Sequence, residues 1–336
     1  MKYSIVIATY NRAKDLVPTL ESVAQLKVTR CWEVIVVDNN SQDNTHDCVV
    51  ELSRRFPTEL RYIFEPQQGR SAALNAGIAA SRGEIIAITD DDVRVDPNWL
   101  ENAGLVMQTL DCHYLGGKAL PIWGGSRPAW LPDHGGRHWG VIALLDYGPL
   151  PLKLDERVPL GVNMFFRREA FELAGMWDNN IGRKAGTLLG QEVREWCQRA
   201  KAVGLRGYYS PDLVVNHVIP ADRLTKRYFR RWFFWNGISR AILYATKGLD
   251  MESPERTSLD FSKVPHIAGV PRYLFRTCLT SLVSAVTTRD AVERFEHELW
   301  IWFFAGILKQ RWKDRGKPIP KFSAGASAQP VERATV

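Results

Sequence analysis

The sequence predicts an α/β fold with a mostly parallel sheet flanked by helices, followed by a helical C-terminal extension. Short runs rich in β-branched residues end in polar turns, as strands buried on both faces do, and they lie at 3–8, 33–37, 60–64 and 84–89. Helical spacing separates these runs, with apolar residues at Leu16, Leu20 and Val23 in one segment. Strand and helix therefore alternate, as in a doubly wound sheet.

Beyond about residue 112, composition and residue spacing predict how the chain is organised. Residues 112–160 are rich in Gly, Pro and Trp, which predicts a long, partly irregular insertion. Helical spacing returns at 168–174 and 190–203, a short strand is expected at 213–215, and from 222 the chain is mostly helix apart from a polar stretch at about 250–268. We therefore expect an α/β domain at 1–220, a basic and aromatic helical region at 221–318 and a disordered tail at 319–336.

Charge separates the two regions. The 336-residue chain is 45% hydrophobic, which excludes wholesale disorder, and its net charge is +7. Residues 218–336 hold 20 of the 44 Lys and Arg but 11 of the 37 Asp and Glu, which leaves 24 against 26 before them. A basic region of this kind indicates a polyanionic partner, either an anionic membrane surface or nucleic acid.

The spacing of the cysteines and the length of the apolar runs indicate the cellular location of the protein. The five cysteines are scattered and form no close pair of the zinc or thiol-exchange kind, which favours a reducing compartment. The N-terminal apolar run is too short for a signal peptide. The longest apolar run, Leu299 to Leu308, falls below the roughly 18 residues that a membrane-spanning helix needs. We expect a cytoplasmic protein, with peripheral contact on the inner face of the membrane as an option.

An acidic triplet, Asp90-Asp-Asp, directly follows the apolar run at 84–89. In such sheets, ligands bind beyond the carboxyl ends of the strands. We therefore expect the ligand site near residues 9–12, 38–41 and 90–92. Adjacent carboxylates repel each other, and Mg²⁺ or Mn²⁺, which prefers carboxylate and phosphate oxygens, would offset them. The alternative is a solvated acidic turn.

Asp38 ends the second predicted strand, where a carboxylate can accept hydrogen bonds from a ribose or a base. The polar run after it would also form an Asx turn, which is the alternative. The sequence has neither a P-loop nor a dinucleotide fingerprint, which counts against kinases and dehydrogenases.

Four ordered motifs resemble family 2 glycosyltransferases with the GT-A fold over roughly residues 1–218. They are Ile7-Ala-Thr-Tyr-Asn-Arg, Val36-Val-Asp-Asn-Asn-Ser, Gly69-Arg-Ser-Ala-Ala-Leu-Asn-Ala-Gly and Ile88-Thr-Asp-Asp-Asp. The resemblance implies a Rossmann-like catalytic domain at 1–220. It also implies inverting transfer of a sugar from a nucleotide diphosphate sugar, with UDP-sugars favoured.

The resemblance also implies roles for single residues. The triplet corresponds to the family's DXD motif, so Asp92 would bind the metal, with His217 closing over the metal and diphosphate. The implied nucleotide-sugar contacts are Thr9, Tyr10, Asn11, Arg12, Asp38, Arg70, Asn75, Asp90, Asp91, Asn163, His217 and Arg223. Many relatives have Arg where this chain has Leu74, and Arg70 is the candidate substitute. Taken alone, His217 could equally be a structural histidine, and Asn163 could simply form a hydrogen bond within a turn.

The segment Gly190-Gln-Glu-Val-Arg-Glu resembles the family segment that supplies the catalytic base. Gln191 and Val193 depart from its usual acidic pair, and Glu192 is our choice of base. Glu195 is the rival, because residues three apart share a helix face. A surface carboxylate paired with a nearby arginine is the alternative for either residue.

Cations and aromatics mix in the segment that starts at Lys226 and ends at Trp235. This composition suits a membrane interface, or a helix that packs its aromatics on the catalytic domain. No nucleic-acid-binding motif accompanies it, so we expect no nucleic acid partner. The acceptor would then be a lipid-linked or surface glycan, with a protein acceptor as an option. The other functions considered are a nucleotidyltransferase, which usually has a Gly- and Lys-rich loop that is missing here, and a non-catalytic nucleotide- or glycan-binding scaffold.

Overall fold

A computed structural model describes residues 2–134, 137–252 and 264–315. The strands are β1 Tyr3–Thr9, β2 Trp32–Asp38, β3 Glu59–Phe64, β4 Ile85–Thr89, β5 Val93–Val95, β6 Tyr114–Trp123, β7 Leu152–Lys153, β8 Asn163–Arg167, β9 Gly207–Ile219, β10 His266–Ile267 and β11 Val270–Pro271. The helices are α1 Ala13–Val23, α2 Thr45–Ser53, α3 Arg70–Ala80, α4 Trp99–Leu110, α5 Arg137–Val141, α6 Arg168–Ala174, α7 Glu192–Ala202, α8 Lys226–Lys247, α9 Arg272–Thr287 and α10 Ala291–Lys313, with a 3₁₀ turn at Ala221–Arg223.

The main sheet has the order β3-β2-β1-β4-β8-β6-β9-β5, with β7 also pairing with β9. The strands β3, β2, β1 and β4 are parallel, and so is the pair β6 and β9. Strand β8 runs antiparallel to both of its neighbours, and β5 and β7 run antiparallel to β9. The expected α/β fold, a mostly parallel sheet flanked by helices with C-terminal helices after it, is confirmed.

The unbroken apolar runs arise because both faces of the parallel half are covered. Along β1, Ile5 and Ile7 enter one hydrophobic core while Val6 enters the core on the opposite face. Along β2, Val34 and Ile35 divide in the same way. Side chains alternate between the two faces of a strand, so a strand covered on both faces must be apolar throughout.

The expectation of a partly irregular insertion at 112–160 is wrong for β6, which lies inside the sheet between β8 and β9. The glycines that suggested loops permit close packing here. A Cβ on Gly117 would lie 2.2 Å from the carbonyl oxygen of Leu213 on β9, so only glycine fits. The pairing of β6 with β9 shifts register between Gly117 and Lys118. These glycines therefore mark a strand irregularity and not a turn.

The three long C-terminal helices, α8, α9 and α10, contribute most of a third hydrophobic core. Leu131 and Trp139, from before residue 220, share that core with Phe229 and Phe303. The expected boundary at 220 therefore runs through one packed cluster. Within the described residues, no helix combines the length and apolarity needed to cross a membrane. The expected tail at 319–336 and most of the polar stretch at 250–268 lie outside the described residues.

Candidate functional site

A cavity of about 640 Å³ opens where β1, β2 and β4 end. Its walls come from the turns after those strands, from the loop at 183–191 and from one face of α8. The acidic triplet lies in this cavity, as expected from the rule that ligands bind at the carboxyl ends of parallel strands.

Arginines pair with each carboxylate of the triplet. Arg12 Nη1 lies 3.0 Å from Asp91 Oδ1, and Arg12 Nη2 lies 2.8 Å from Asp92 Oδ2. Arg70 Nη2 lies 2.7 Å from Asp90 Oδ1. Protein guanidinium groups therefore supply part of the positive charge that offsets the triplet, in addition to the divalent cation expected from the sequence. The triplet is not a solvated turn, since Asp92 is only 2% exposed.

The buried carboxylates differ in their readiness to ionise. Burial raises the pKa of Asp91 to about 7, although Arg12 opposes the rise. Burial alone would also raise the pKa of Asp92, but His217, Arg12 and Arg223 hold it well below its usual range. Opposite charges within a few ångströms favour the ionised form, so negative charge resides first on Asp92.

His217 lies on β9 and contacts the triplet from there. Strand β5, which directly follows the triplet, pairs with β9 and so holds His217 beside it. Its Nε2 lies 3.1 Å from Asp92 Oδ1, and both side chains are almost fully buried. Asp92 Oδ1 and His217 Nδ1 find no hydrogen-bond partner among the described residues. Arg223 Nη1 is 3.7 Å from Asp92 Oδ2.

A divalent cation fits these two residues in part. Adjacent ligands of an octahedral ion with bonds of about 2.1 Å lie roughly 3 Å apart, which matches the Asp92 and His217 atoms. Nowhere in the described ranges do three or more His, Cys, Asp or Glu side chains form a group that could hold a metal. Any such ion would therefore take its other ligands from phosphate oxygens and water, which is the usual habit of Mg²⁺.

Arg70 connects the triplet to α7. Besides Asp90, it lies 3.3 Å from Glu192 through Nη1 and donates to the Gly161 carbonyl at 3.0 Å. Burial opposes its charge, but Asp90 and Glu192 raise the pKa of its guanidinium above the usual value. Leu74 packs in the core on one face of the sheet. Arg70, one turn earlier on α3, is thus the arginine that this helix brings to the cavity.

The two candidate bases lie in different surroundings. Glu192 is the first residue of α7 and lines the cavity. Glu195 is not among the cavity residues; it accepts hydrogen bonds from Arg199 Nε at 2.8 Å and Nη2 at 2.9 Å. Lys247 Nζ lies 3.5 Å from Glu195 as well. Glu195 is only 2% exposed, so it is a buried ion pair and not the surface carboxylate considered above.

The turns after β1 and β2 are held by their own polar side chains. Thr9 Oγ1 donates to Asp91 at 2.7 Å, and Tyr10 lines the cavity beside it. Asp38 accepts from the Ser41 amide at 2.9 Å and from the Tyr62 hydroxyl at 2.8 Å, so the local turn considered for Asp38 does form.

Asn11 adopts a left-handed conformation, with φ at 52°, and accepts from the Gln42 amide at 2.6 Å. Neither Asn11 nor Asp38 lines the cavity. Asn39, which sequence reasoning did not select, does line it and accepts from the Gly69 amide at 2.7 Å. The residue after Asp38 is therefore the one that links this turn to the start of α3.

Asn75 and Asn163 are engaged elsewhere in the fold. The buried Asn163 donates to the Lys118 and Leu213 carbonyls at 2.7 and 2.8 Å and accepts from Trp99 Nε1 at 2.9 Å. Asn75 donates to the Trp177 carbonyl at 2.9 Å and accepts from its amide at 3.0 Å. Neither lines the cavity, so the structure assigns both to bracing and gives neither a contact in the cavity.

Sequence reasoning missed the wall formed by α8. Tyr228, Trp232, Asn236 and Arg240 all line the cavity. They recur every four residues and so share one face of the helix. That spacing was visible in the sequence, but nothing in it indicated which face of α8 would meet the cavity.

Comparisons with known proteins agree with the fold. The mostly parallel sheet flanked by helices is the GT-A fold. Residues 4–174 match the model for glycosyl transferase family 2, and the chain belongs to that family. The resemblance found in the motifs is thereby confirmed, and a nucleotidyltransferase is not supported.

Two relatives come from Haloferax volcanii. A glucosyl-dolichyl phosphate glucuronosyltransferase is 26% identical over 247 residues, covering 72% of this chain and 77% of the relative. Glycosyltransferase AglE is 28% identical over 229 residues, covering 68% of this chain and 70% of that protein. Both matches extend over most of the two chains compared.

A solved structure supports the fold independently. The mannosyltransferase PcManGT from Pyrobaculum calidifontis, in complex with GDP-Man and Mn²⁺, superposes with a TM-score of 0.63 at 16% identity. The match covers 94% of this chain and 88% of that one. At this identity the similarity concerns the fold, and it includes the C-terminal helices as well as the sheet.

Proposed function

We propose that the protein transfers a glycosyl group, with inversion, from a nucleotide diphosphate sugar to a hydroxyl group of a glycan or glycolipid. The main support is that Arg70 joins Asp90 to Glu192 at 2.7 and 3.3 Å within one cavity. A donor-binding carboxylate and a candidate base thereby lie next to each other. The reaction needs a donor and an acceptor hydroxyl to meet at such a point.

The donor would lie against the ends of β1, β2 and β4. Thr9 and Tyr10 line this part of the cavity and would contact the nucleotide, with UDP-sugars our first choice of donor. Arg12, Arg70 and Arg223 also line it and would face the diphosphate. Guanidinium groups bind phosphate through paired hydrogen bonds, so they would hold both the donor and the departing diphosphate.

A divalent cation, Mg²⁺ or Mn²⁺, would be held by Asp92 with His217 beside it. The support is the unbonded Asp92 Oδ1 at 3.1 Å from His217 Nε2. When bound, such an ion stabilises the negative charge that develops on a leaving diphosphate. The arginines around the triplet would share that task, so metal and guanidinium contributions need separate measurement.

Glu192 would act as the general base. It would accept the proton of the acceptor hydroxyl while the oxygen forms a bond to the anomeric carbon and the bond from that carbon to the diphosphate oxygen breaks. One displacement on the face opposite the leaving group inverts the anomeric configuration. Both carboxylates pair with an arginine, Glu192 with Arg70 and Glu195 with Arg199, but only Glu192 lines the cavity, and that position supports this role for Glu192.

We also propose peripheral contact with anionic membranes through α9. Its outer face exposes Leu279, Val283 and Val286, which are 63%, 55% and 85% exposed. Arg272 and Arg276 continue the same helical face and are exposed too. An apolar face bordered by arginines suits the boundary of a bilayer that carries anionic lipid.

Calorimetry with nucleoside diphosphates, with and without Mn²⁺, tests the donor and metal parts of the proposal. We expect binding that strengthens with Mn²⁺, and a panel of nucleotide sugars should then identify the donor through metal-dependent turnover. Equal affinity in the presence of a chelator would rule out the metal role. Binding of a nucleotide sugar without any transfer would favour a non-catalytic scaffold.

A further inference from the structure

Two arginines meet at the wall of the cavity formed by α7 and α8. Arg194 of α7 and Arg240 of α8 both line the cavity. The two helices are tied together there, since Gln191 Nε2 donates to Asn236 Oδ1 at 3.0 Å and the Gly190 amide donates to Ser239 at 3.2 Å. The arginine pair therefore lies on a fixed part of the wall.

Arg240 has buried donor atoms that no described residue satisfies. Its Nε and Nη1 atoms are buried and form no hydrogen bond with the described residues. Asp250 is the nearby carboxylate, but its Oδ1 accepts from Tyr273 at 2.6 Å and from the Glu252 amide at 2.9 Å. Arg194 donates to the backbone carbonyl of Asp250 at 3.1 Å through both Nη atoms.

The charges of the two arginines oppose each other. Burial lowers the pKa of Arg240 to about 10, against the attraction of Asp250. Burial, and then the neighbouring Arg240, lower the pKa of Arg194 as well. Buried donors normally find partners, so the buried Nε and Nη1 atoms of Arg240, which have none among the described residues, are suited to an anion that enters the cavity.

We propose that Arg240 and Arg194 form a binding site for a phosphate group carried by the acceptor. Two guanidinium groups match the geometry of phosphate oxygens, to which they donate in pairs. This inference rests on the proposed glycosyl transfer and adds to it the chemical class of the acceptor. The site lies on α7 and α8, outside the residues 4–174 that match the family.

The position of the pair assigns the phosphate to the acceptor and not to the donor. Arg12, Arg70 and Arg223 already surround the acidic triplet, where the donor diphosphate would bind. Glu192 starts the helix that carries Arg194, and its neighbour Gln191 is bonded to Asn236, one turn before Arg240. An acceptor hydroxyl at Glu192 would therefore leave the rest of the acceptor along α8.

The rest of that wall is aromatic. Tyr228 and Trp232 precede Asn236 and Arg240 on the same helix face. Apolar and aromatic surface with a few convergent polar groups is typical of small-molecule sites. Such a surface accepts either a free sugar phosphate or a phosphate attached to a lipid, and the two sources can be separated by experiment.

The test uses the full chain, first saturated with Mn²⁺ and its preferred nucleoside diphosphate so that the donor site is filled. Calorimetry then compares glucose 1-phosphate and farnesyl phosphate with glucose and farnesol. We expect at least one phosphate probe to bind and its uncharged counterpart not to bind. Binding of farnesyl phosphate alone identifies a lipid-linked acceptor, and binding of glucose 1-phosphate alone identifies a free sugar phosphate.

Arg240→Gln should weaken the binding of the phosphate probe by about 10- to 100-fold, the usual effect of losing charge-assisted hydrogen bonds. Arg240→Lys should lose less affinity for the probe. Arg227→Gln, at an exposed position on α8, should bind the probe as tightly as the parent protein does. Nucleoside diphosphate binding should be unchanged in all three variants. Because Arg240 has buried donors without hydrogen bonds to the described residues, Arg240→Gln should melt no lower than the parent, whereas a structural arginine would give a lower melting temperature.

Two results would overturn the assignment. One is that neither phosphate probe binds although nucleoside diphosphate does. The other is that Arg240→Gln binds the probe as well as the parent protein does. A protein that binds no nucleoside diphosphate at all would instead contradict the proposed function itself, so the two failures can be told apart.

Discussion

At the scale of single residues, Arg70 determines how the two parts of the candidate site are held together. It pairs with Asp90 on the donor side and with Glu192 on the proposed acceptor side. The motif comparison pointed to an arginine at the position of Leu74. One helical turn separates that position from Arg70, so the guanidinium is supplied from a neighbouring position on the helix.

Replacing Arg70 by Gln should weaken both nucleoside diphosphate binding and transfer. We expect a loss of about 10- to 100-fold in kcat/KM, because charge-assisted hydrogen bonds to Asp90 and Glu192 are removed together. Steady-state kinetics with the identified donor measure the loss. Arg54→Gln, a change of the same kind at an exposed position, is the control and should have no effect. Equal loss in both variants would show that the effect comes from general charge.

At the scale of elements, Glu33 joins β2 to the turn before β4. The side chain is fully buried and accepts from Ser4 Oγ at 2.7 Å and from Arg82 Nη2 at 2.7 Å. Arg61 Nη1 donates to it at 3.0 Å. Burial alone would raise the pKa of Glu33, but these hydrogen bonds lower it to about 2.

Glu33 should therefore contribute to acid sensitivity. A carboxyl whose pKa is lowered by folding stabilises the protein above its ordinary pKa of 4.5, and that stability is lost as the pH falls toward about 2. Glu33→Gln should lower the free energy of unfolding at pH 7 by about 2 kcal/mol. Denaturant unfolding at several pH values should also show less change between pH 5 and pH 2 than in the parent. An unchanged acid profile would contradict the assignment.

The contact between α8 and α10 depends on glycine. A Cβ on Gly237 would lie 2.0 Å from the Phe303 carbonyl oxygen, and one on Gly306 would lie 2.0 Å from that of Phe234. Gly237→Ala should thus destabilise the protein by about 1–3 kcal/mol through overpacking. Because α8 also forms a wall of the cavity, ligand binding should weaken with it.

Thermal unfolding with and without nucleoside diphosphate measures this effect. Gly140→Ala is the control for the melting temperature without ligand, because an added Cβ there meets nothing within 4 Å; Gly140 lines the cavity, so it is not a control for ligand binding. Equal melting temperatures for Gly237→Ala and the parent protein would mean that the two helices can separate without cost.

At the scale of the whole molecule, the C-terminal helices both complete the cavity and present an apolar surface. Replacing Val283 and Val286 by Asp should abolish co-sedimentation with vesicles that contain anionic lipid, since carboxylates are costly to bury in the apolar layer and are repelled by anionic lipid. Binding by the parent protein should fall at high salt. Leu105→Asp with Leu173→Asp, at exposed positions on α4 and α6, is the control. Membrane binding that does not depend on lipid charge would contradict a contribution from Arg272 and Arg276.

The parallel half of the sheet could be predicted because β1, β2 and β4 are buried on both faces and are mostly apolar. The triplet was visible for the same reason, since it interrupts such a run at Asp90. β6 could not be predicted, because Gly116 and Gly117 in a strand look like a turn until the approach of β9 is known. The α8 wall was missed because the cavity contacts of α8 are with segments distant in the sequence.

The proposed mechanism depends most on Glu192 as the base. Glu192→Gln retains the shape of the side chain but removes its basicity, so transfer should fall by roughly 10²–10⁴-fold, the usual contribution of general base catalysis. Donor affinity should hardly change. Glu195→Gln, checked for folding because it removes a partner of Arg199, should cost less than about tenfold.

The most direct measurement is therefore single-turnover transfer by Glu192→Gln and Glu195→Gln beside the parent protein, with the donor bound in all three. The account predicts a large loss in the first variant alone. A Glu192→Gln variant that transfers at the parental rate, or a loss confined to Glu195→Gln, would contradict it.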